Sequence, residues 1–332
     1  MINNPISISI LTINRIKLFK KLVYSLKSAI EKYPGNSEVI ICDASSENIR
    51  YLVLDITNEN HWKYIRFNGT EAHGRNIAMK NALNNYVLFT DDDCEVSSDL
   101  LVKYNSKINS LKSQEKEFGA IYGVTEFKGT KSTWFNSIYA TGCMYAFQSA
   151  KHNKSLEWGT TSNALFTKMA WTSINGFIEN DISPVGGVDV SYGIKLTKKG
   201  YKNYTEPEAI VFHTTESWNN KKDLFNRMQN YGRSEYNLCV IFPERVYYDN
   251  RNIAFILFLI SLIILIAVSV LTESFFLILL TICIITSILV YFSIKWKSII
   301  LELKKKSSYF RQAFIHKKYG LLYKRFIYRK FY

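Results

Sequence analysis

The sequence predicts an α/β fold in which a mostly parallel sheet is flanked by helices and followed by a two-helix transmembrane hairpin and a basic amphipathic tail. Three observations support this prediction. Residues 1–100 alternate short apolar runs with stretches of helical periodicity, which is typical of repeated strand-helix units. Residues 253–294 contain two long uncharged runs. Most of the excess positive charge follows them, in residues 295–332.

The first 90 residues supply the strand-helix units in order. A strand is expected over residues 6–13, and a helix with one apolar face follows over 15–33, where Pro34 and Gly35 end it. The later elements of this region are a strand over 38–42, a strand over 63–67, a helix over 72–83 and a buried strand over 86–90.

Polar residues stand at the carboxyl ends of these strands. Thr12 lies at the end of the first strand, Asp43 follows the second, and Asp91, Asp92 and Asp93 follow the fourth. Open α/β sheets bind their ligands outside the carboxyl ends of the strands. We therefore expect these five residues to line one crevice.

The aspartate triplet allows two interpretations. Asp91 and Asp93 project to the same side of an extended chain, so they can share a hard cation such as Mn2+ or Mg2+ that offsets their repulsion. Alternatively, the triplet is a solvated loop that caps the following helix. The sequence contains neither G-x-x-x-x-G-K-[ST] nor G-x-G-x-x-G, so any nucleotide is bound without these phosphate loops.

Composition and charge exclude several classes of protein. Hydrophobic residues make up 47% of the chain and aromatic residues 15%, which excludes a disordered chain. The net charge is +14, but residues 295–332 hold 12 Lys and Arg residues against the single acid Glu302. The rest of the chain is nearly neutral, so we expect no nucleic-acid partner. The cysteines are odd in number and widely spaced, so we expect them to be reduced and mostly buried. They are Cys42, Cys94, Cys143, Cys239 and Cys283.

The two uncharged runs, residues 253–271 and 275–294, are each long enough to cross a bilayer at ~1.5 Å per residue. Glu273 lies in the turn between them, whereas basic residues flank the outer ends: Arg245, Arg251, Lys295 and Lys297. By the positive-inside rule we expect both termini and the body of the protein to lie in the cytoplasm, and the N-terminus lacks a signal-peptide pattern. The alternative is a buried hairpin in a globular fold.

The tail interleaves bases with aromatic residues, which suits a helix lying on anionic lipid. Binding of single-stranded nucleic acid is the weaker alternative. The bases are Lys304, Lys305, Lys306, Arg311, Lys317, Lys318, Lys324, Arg325, Arg329 and Lys330, and the aromatic residues are Tyr309, Phe310, Phe314, Tyr319, Tyr323, Phe326, Tyr328 and Phe331. A basic amphipathic helix over 219–242 precedes the first run, and its bases either meet lipid phosphates or form an ordinary solvated face.

Four segments, in this order and spacing, resemble the nucleotide-sugar-binding half of family 2 glycosyltransferases: ISILTINR, EVIICDASSEN, GRNIAMKNAL and YVLFTDDDCE. Downstream segments resemble the acceptor half of that family: Trp158-Gly159, Asn163 to Phe166, Asn175 to Phe177, Gly186 to Asp189 and Lys199 to Tyr201. The resemblance covers about residues 5–215 and implies a GT-A fold with a D-x-D metal motif and an inverting reaction. The expected domains are a nucleotide-sugar half (1–115), an acceptor half (116–218), a juxtamembrane helix (219–252), two membrane helices (253–294) and a cytoplasmic tail (295–332).

The resemblance also assigns roles to single residues. By this resemblance, the residues that contact the donor nucleotide are Thr12, Asp43, Arg75, Asn76, Asp91 and Asp92. Asp91 and Asp93 hold the metal on the diphosphate, with Asp93 as the likelier direct ligand. His213 stands where some members supply a third metal ligand, although a lone histidine at a strand end is often only a polar terminus.

A general base is expected in the acceptor half. Where the family has a Glu-Asp pair this chain has Val188-Asp189, so Asp189 is the expected base for the attacking hydroxyl. Asp189 could also cap a helix over residues 190–199, and Asp181 is a weaker substitute.

Together these features predict a metal-dependent inverting glycosyltransferase at the cytoplasmic face of a membrane. It would move a sugar from a nucleotide-diphosphate sugar to a hydroxyl of a lipid-linked saccharide in cell-surface glycan assembly. The alternatives are a polyprenyl-phosphate glycosyltransferase and, less well supported, a non-catalytic membrane scaffold that binds glycans.

Overall fold

The structure is a computed structural model that describes residues 2–179 and 187–328. The chain divides into two compact units. The first, here called the sheet unit, comprises Met1–Lys131 and Cys143–Ser217. The second, the helical unit, comprises Ser132–Gly142 and Trp218–Tyr332.

The strands and helices have the following bounds. The strands are β1 (Ile6–Thr12), β2 (Ser37–Asp43), β3 (Lys63–Arg66), β4 (Tyr86–Asp91), β5 (Cys94–Val96), β6 (Phe118–Lys128), β7 (Asn163–Thr167), β8 (Lys202–Thr214), β9 (Val246–Tyr248) and β10 (Lys324–Phe326). The helices are α1 (Ile16–Lys32), α2 (Glu47–Glu59), α3 (Glu71–Asn81), α4 (Leu100–Ser113), α5 (Thr133–Ala140), α6 (Tyr145–Gln148), α7 (Lys168–Ser173), α8 (Val188–Lys198), α9 (Lys221–Ile241), α10 (Asn250–Thr272) and α11 (Phe275–Ile315). Short 3-10 helices cover Ser149–Lys151, Glu216–Trp218, Pro243–Arg245 and Tyr319–Leu321.

In the described part of the sheet unit, eight strands form one sheet in the order β3-β2-β1-β4-β7-β6-β8-β5. The first four strands are parallel to one another. Beyond them β7 runs antiparallel to both of its neighbours, β6 and β8 are parallel, and β5 is antiparallel to β8. The α/β class is confirmed, and the sheet is mixed because β7 and β5 run antiparallel to their neighbours.

The parallel half is apolar on both faces because helices cover both. Alternate residues of β1, such as Ile6 and Ile10, pack with Phe19 and Leu26 of α1 on one face. Residues of the neighbouring strands, such as Phe89, pack on the other face with α3 and α8. Burial on both faces explains why β2 and β4 contain continuous apolar runs, whereas β1 alternates isoleucines with the buried Ser7 and Ser9.

The strand and helix predictions for residues 6–90 agree with the structure in type, and their ends differ by at most two residues. Helix α2 was not predicted as a separate element. Its residues Ile49, Val53 and Ile56 have helical spacing and pack against the core, so its sequence does carry a helical pattern.

In the helical unit, α9 packs along the second half of α11. Gly232 allows the close approach, because a Cβ atom there would lie 2.2 Å from the carbonyl oxygen of Lys305. Glu235 is buried between Lys305 (2.9 Å) and Arg325 (3.0 Å). Part of the basic tail is therefore neutralised inside this unit. The tail forms the end of α11, a 3-10 turn and strand β10, which pairs with β9, instead of one continuous helix.

Helix α5 lies in the helical unit, although its sequence falls within the segment expected to form the acceptor half. Its Trp134 ring packs edge-on against Trp296 at 5.4 Å and against Phe225 at 6.3 Å. The Ser298 hydroxyl donates a hydrogen bond to the carbonyl oxygen of Ser137 at 3.0 Å. The aromatic residues near Trp134 thus pack with α9 and α11.

Helices α10 and α11 cover the two uncharged runs. Among the described residues, no individual helix combines the length and apolarity needed to cross a membrane. The segments Phe275–Tyr291 and Ser293–Ile315 meet both requirements only as a pair, bent by 81°, and Ile256–Thr272 is a shorter apolar helix. The structure therefore does not support the predicted hairpin of two separate spans. Arg329, Lys330 and Phe331 of the predicted lipid-binding tail lie outside the described residues.

Candidate active site

The carboxyl ends of β1, β2 and β4 lie side by side. Thr12 is paired in register with Asp43 on one neighbouring strand, and Leu11 is paired with Asp91 on the other. The chain turns sharply after Asp91, so that Asp92 and Asp93 follow at the same edge of the sheet. The parallel register thus brings the predicted polar residues together, as expected for strands of this connectivity.

Asp92 faces the loop that follows β1. Its Oδ2 atom accepts hydrogen bonds from the Thr12 hydroxyl at 2.8 Å and from the backbone N–H of Ile13 at 3.4 Å. Its Oδ1 atom lies 3.0 Å from Nη1 of Arg15. Burial raises the pKa of Asp92 to about 6, and the Arg15 charge opposes that rise.

Asp93 divides its two oxygens between different partners. Oδ2 lies 2.9 Å from Nη1 of Arg15, and Oδ1 lies 3.2 Å from Nε2 of His213. Oδ1 is buried and has no hydrogen-bond partner within the described ranges. Nδ1 of His213 lies 2.7 Å from the carbonyl oxygen of Thr214 and donates there, so Nε2 faces Asp93 and can act as a ligand atom when the ring is neutral.

Cys94 stands directly opposite His213 in the β5–β8 pairing. The ligand atoms of Asp93, Cys94 and His213 all lie within 4.8 Å of one another. Burial raises the pKa of the Cys94 thiol well above its ordinary value, so the thiol is protonated in this state. The sequence pattern treats Cys94 only as a core residue, whereas the structure brings it beside two predicted metal ligands.

Asp91 lies next to this group without joining it. Burial raises the pKa of Asp91 to about 8, and the neighbouring charge of Asp93 raises it further in the same direction. Arg75 opposes the rise. The strand end therefore holds more negative charge than its own arginines balance. Oxygen and imidazole ligands with a surplus of negative charge suit a divalent cation such as Mn2+ or Mg2+, so the residues fit such an ion.

Asp189 lies in the first turn of α8. Both of its oxygens accept hydrogen bonds from Thr161, one from the backbone N–H and one from the hydroxyl, each at 3.2 Å. Its Oδ1 atom lies 3.5 Å from Nη1 of Arg75, which also lies 3.4 Å from Glu71. Burial raises the pKa of Asp189, and Arg75 lowers it. Gly187 is the N-cap of α8, so the capping alternative for Asp189 is wrong.

Asp43 is completely buried and already holds two partners. Its carboxylate accepts hydrogen bonds from the Ser45 backbone N–H and from the Tyr64 hydroxyl, both at 2.8 Å. The Arg66 guanidinium donates to the Asp43 carbonyl oxygen at 3.0 Å. Burial and the Asp43 charge raise the pKa of Tyr64 to about 12. Tyr64 and Arg66 therefore contact Asp43, a residue of the predicted nucleotide pocket.

Asn76 ties α3 to the chain after α7. Its Oδ1 atom accepts from the Trp171 indole and from the Phe177 backbone N–H, both at 2.9 Å. Its amide nitrogen donates to the Phe177 carbonyl oxygen and to Glu179. All of its hydrogen-bonding positions are occupied, and its predicted contact with a nucleotide stays a prediction. Asp181, the weaker candidate base, lies outside the described residues.

Arg15 and Thr161 are further contacts of this site that the sequence did not reveal, in addition to Cys94, Tyr64 and Arg66. Arg15 meets Asp92 and Asp93 across more than 70 residues of chain. One local signal was present, because Arg15 occupies the N-cap of α1, where Ser, Thr, Asp or Asn is preferred. Thr161 carries no comparable signal.

The sequence of this region matches a known protein family. Residues 7–117, from β1 through α4, match the model described as glycosyl transferase family 2. The matched part is about a third of the chain. The match and the fold support a glycosyltransferase, and the aspartates after β4 lie inside the matched region.

Two solved structures have a fold similar to that of this chain. The mannosyltransferase PcManGT from Pyrobaculum calidifontis, solved in complex with GDP-Man and Mn2+, aligns with a TM-score of 0.60 at 15% identity over 90% of this chain and 86% of that chain. A crystal structure of residues 1–349 of TarS from S. aureus aligns with a TM-score of 0.45 at 16% identity, over 69% of this chain and 65% of that chain. A search of the curated proteins finds no significant match. At these identities the likeness is one of fold, and it agrees with a GT-A arrangement.

Proposed function

We propose that this glycosyltransferase is metal-dependent and inverting, and that it moves a sugar from a nucleotide-diphosphate sugar to a hydroxyl of a lipid-linked saccharide during cell-surface glycan assembly. One observation carries the proposal. The buried Oδ1 of Asp93 and Nε2 of His213 lie 3.2 Å apart at the strand end, and both are atom types that bind divalent cations.

Asp93 and His213 are the residues that would hold the cation, and Asp91 adds negative charge beside them. When bound, Mn2+ or Mg2+ would stabilise the charge of the departing diphosphate. Thr12, Asp43 and Asp92 would line the nucleotide pocket, with Arg75 and Asn76 as the further predicted contacts. Because PcManGT was solved with GDP-Man and Mn2+, GDP-mannose is the first donor to test.

Asp189 is the proposed general base. Its raised pKa makes it a better proton acceptor than an ordinary aspartate, while Arg75 keeps the carboxylate available in the ionised form. Thr161 holds the carboxylate in one orientation. In the step, the acceptor oxygen attacks the anomeric carbon as its proton passes to Asp189, and the bond from that carbon to the diphosphate oxygen breaks. Attack opposite to the leaving diphosphate inverts the configuration.

Membrane association is the second part of the proposal. Large apolar side chains are exposed along α10 and α11, among them Leu257, Leu271, Phe275 and Leu289. Contiguous exposed apolar surface of this kind favours contact with lipid. We propose that these helices anchor the enzyme in the cytoplasmic membrane, with the catalytic domain and both termini in the cytoplasm.

The end of α11 supports an additional contact with lipid headgroups. Arg311, Lys317 and Lys318 are exposed there, next to the exposed rings of Phe314 and Tyr319. Bases mixed with aromatic rings suit the interface of an anionic membrane. We propose that this segment binds anionic lipid.

The test of catalysis is hydrolysis of a panel of nucleotide sugars by the detergent-solubilised full chain, with Mn2+ or Mg2+ and with EDTA as the metal-free control. The variant is Asp93→Asn, which keeps the side-chain shape, and the matched control is Asp99→Asn, an acid at the start of α4 outside the crevice. We expect metal-dependent release of one nucleoside diphosphate, lost in Asp93→Asn and kept in Asp99→Asn. Equal turnover by wild type and Asp93→Asn would contradict the proposed metal site.

A further inference from the structure

The loop between β1 and α1 carries a positively charged side chain at the centre of the acidic strand end. A single nitrogen of Arg15, Nη1, lies 3.0 Å from Asp92 and 2.9 Å from Asp93. The Arg15 side chain is nevertheless 43% exposed, whereas the two carboxylates it touches are 4% and 5% exposed. One end of the guanidinium thus holds the acids, and the remainder faces solvent.

This position is unfavourable for an arginine on local grounds. Arg15 is the N-cap of α1, makes no capping hydrogen bond with its side chain, and is followed by a first turn without acidic residues. The N-terminus of a helix carries partial positive charge, so a cation there is destabilising. A residue that breaks a local preference at an established site is more often explained by function than by folding.

The backbone before Arg15 is held in place. Asn14 has a φ of 56°, in the left-handed region. Its backbone N–H donates to the Ser45 hydroxyl at 2.8 Å, and its side-chain oxygen accepts from the Ser46 backbone N–H at 2.9 Å. These contacts fix the β1–α1 loop against the β2–α2 loop. Arg15 is therefore presented to the crevice by a fixed backbone.

We propose that Arg15 binds the diphosphate of the nucleotide-sugar donor, and that Asp92 and Asp93 hold its guanidinium ready for that contact. The inference rests on the proposed function, because it needs a donor whose cation is held by Asp93. A diphosphate bound there comes next to the guanidinium that touches the same carboxylate. Arginine suits this role, since its fork of donors matches phosphate oxygens.

The proposal predicts different effects on two affinities, the affinity for nucleoside diphosphate and the affinity for Mn2+. If Arg15 only maintained the structure of the site, its removal would lower both. Removing the Arg15 charge removes an attraction for the diphosphate, but it also removes a repulsion for the bare cation. Nucleoside-diphosphate affinity should therefore fall while Mn2+ affinity stays the same or rises. Loss of both affinities would show that Arg15 only maintains the shape of the site.

The experiment is calorimetric titration of the full-length detergent-solubilised chain. Mn2+ is titrated alone, and then UDP, GDP and dTDP are each titrated at saturating Mn2+, with the corresponding monophosphates in parallel. The variants are Arg15→Gln and Arg15→Lys. The control is Lys20→Gln, which removes one positive charge from an exposed position of the same helix.

We expect Arg15→Gln to weaken binding of the preferred diphosphate by about tenfold to a hundredfold, which is the usual worth of a charge-assisted contact. Arg15→Lys should recover part of the loss, the monophosphate should lose less than the diphosphate, and Lys20→Gln should bind like wild type. Wild-type diphosphate affinity in Arg15→Gln would overturn the inference and leave the proposed function intact. If the wild type shows no metal-dependent diphosphate binding, the proposed function fails and the inference fails with it.

Discussion

Replacing Asp91 by asparagine is expected to stabilise the metal-free fold at neutral pH. Burial and the charge of Asp93 raise the pKa of Asp91 from 3.8 to about 8. The folded protein therefore binds this proton more tightly than the unfolded chain does. For a carboxyl with a raised folded pKa, stability falls as pH rises from about 4 to about 8, which is the reverse of a carboxylate in an ion pair.

The size of the effect follows from the two pKa values. A single carboxyl with these values would destabilise the fold by ~4 kcal/mol at pH 7 relative to pH 3. Asp91 is partly exposed and shares its charge field with Asp93, so we expect a gain of roughly 1–2 kcal/mol for Asp91→Asn. In a unit of this size that corresponds to an increase of about 4 °C in Tm.

The assay is thermal unfolding followed by tryptophan fluorescence between pH 5 and pH 8, in EDTA and in Mn2+. In EDTA the variant should exceed the wild type by a margin that grows with pH, whereas Asp99→Asn should follow the wild type. Mn2+ should raise the wild-type Tm more than the variant Tm, because the cation replaces the proton as counter-charge. A variant less stable than the wild type in EDTA at pH 7, or a difference that does not change with pH, would refute this reasoning.

Three further outcomes follow from the geometry. Asp189→Asn should lower kcat for transfer to a hydroxyl by about 10²–10⁴-fold in a radiolabelled-acceptor assay, whereas little change with a polyprenyl-phosphate acceptor would identify the alternative reaction. Gly232→Ala should lower the free energy of unfolding by roughly 1–3 kcal/mol through its clash with Lys305, while Gly320→Ala, with open space around it, should not. Glu235→Gln should lower Tm at pH 7, and the wild-type advantage should shrink as pH falls below about 4.5, because neighbouring cations lower the pKa of Glu235.

Strands β2 and β4 could be predicted because both of their faces are buried and they stand out as apolar runs, and β1 could be predicted because its isoleucines alternate with serines. The central strand β6 could not be predicted in the same way. It contains Gly123, where a Cβ atom would lie 2.3 Å from the Asn163 side chain and 2.5 Å from the Ala209 carbonyl oxygen. That glycine is required by the close approach of distant chain segments, which no local pattern reveals.

The contacts of the basic tail also could not be predicted from the local sequence. Its alternation of bases and aromatic rings predicts an amphipathic segment, but it does not show which bases are paired. Lys305 and Arg325 meet Glu235, which lies 70 and 90 residues earlier in the chain. The basic charge available for lipid is therefore smaller than the composition of the tail implies.

In the site, the residue types were predictable and the pairing was not. The carboxyl ends of parallel strands must meet at one edge, so Thr12, Asp43 and the aspartates after β4 could be grouped from their positions alone. The arginines that compensate these acids come from other loops and helices. Which acid each arginine meets depends on the directions of the side chains at the strand end. The alternation of side chains along a strand does not determine these directions once the chain turns.

The two arginines of the acidic crevice contact different aspartates. Arg15 touches Asp92 and Asp93, and Arg75 lies beside Asp189. Asp91 stands between the two groups and is affected by charges from both. If these four aspartates and Glu71, which also contacts Arg75, were all ionised, two arginines would leave three negative charges uncompensated, and a divalent cation would offset two of them. Without the cation, the raised pKa of Asp91 lets a proton take up part of that surplus, so the same carboxylate that destabilises the empty site at neutral pH provides the attraction that fills it.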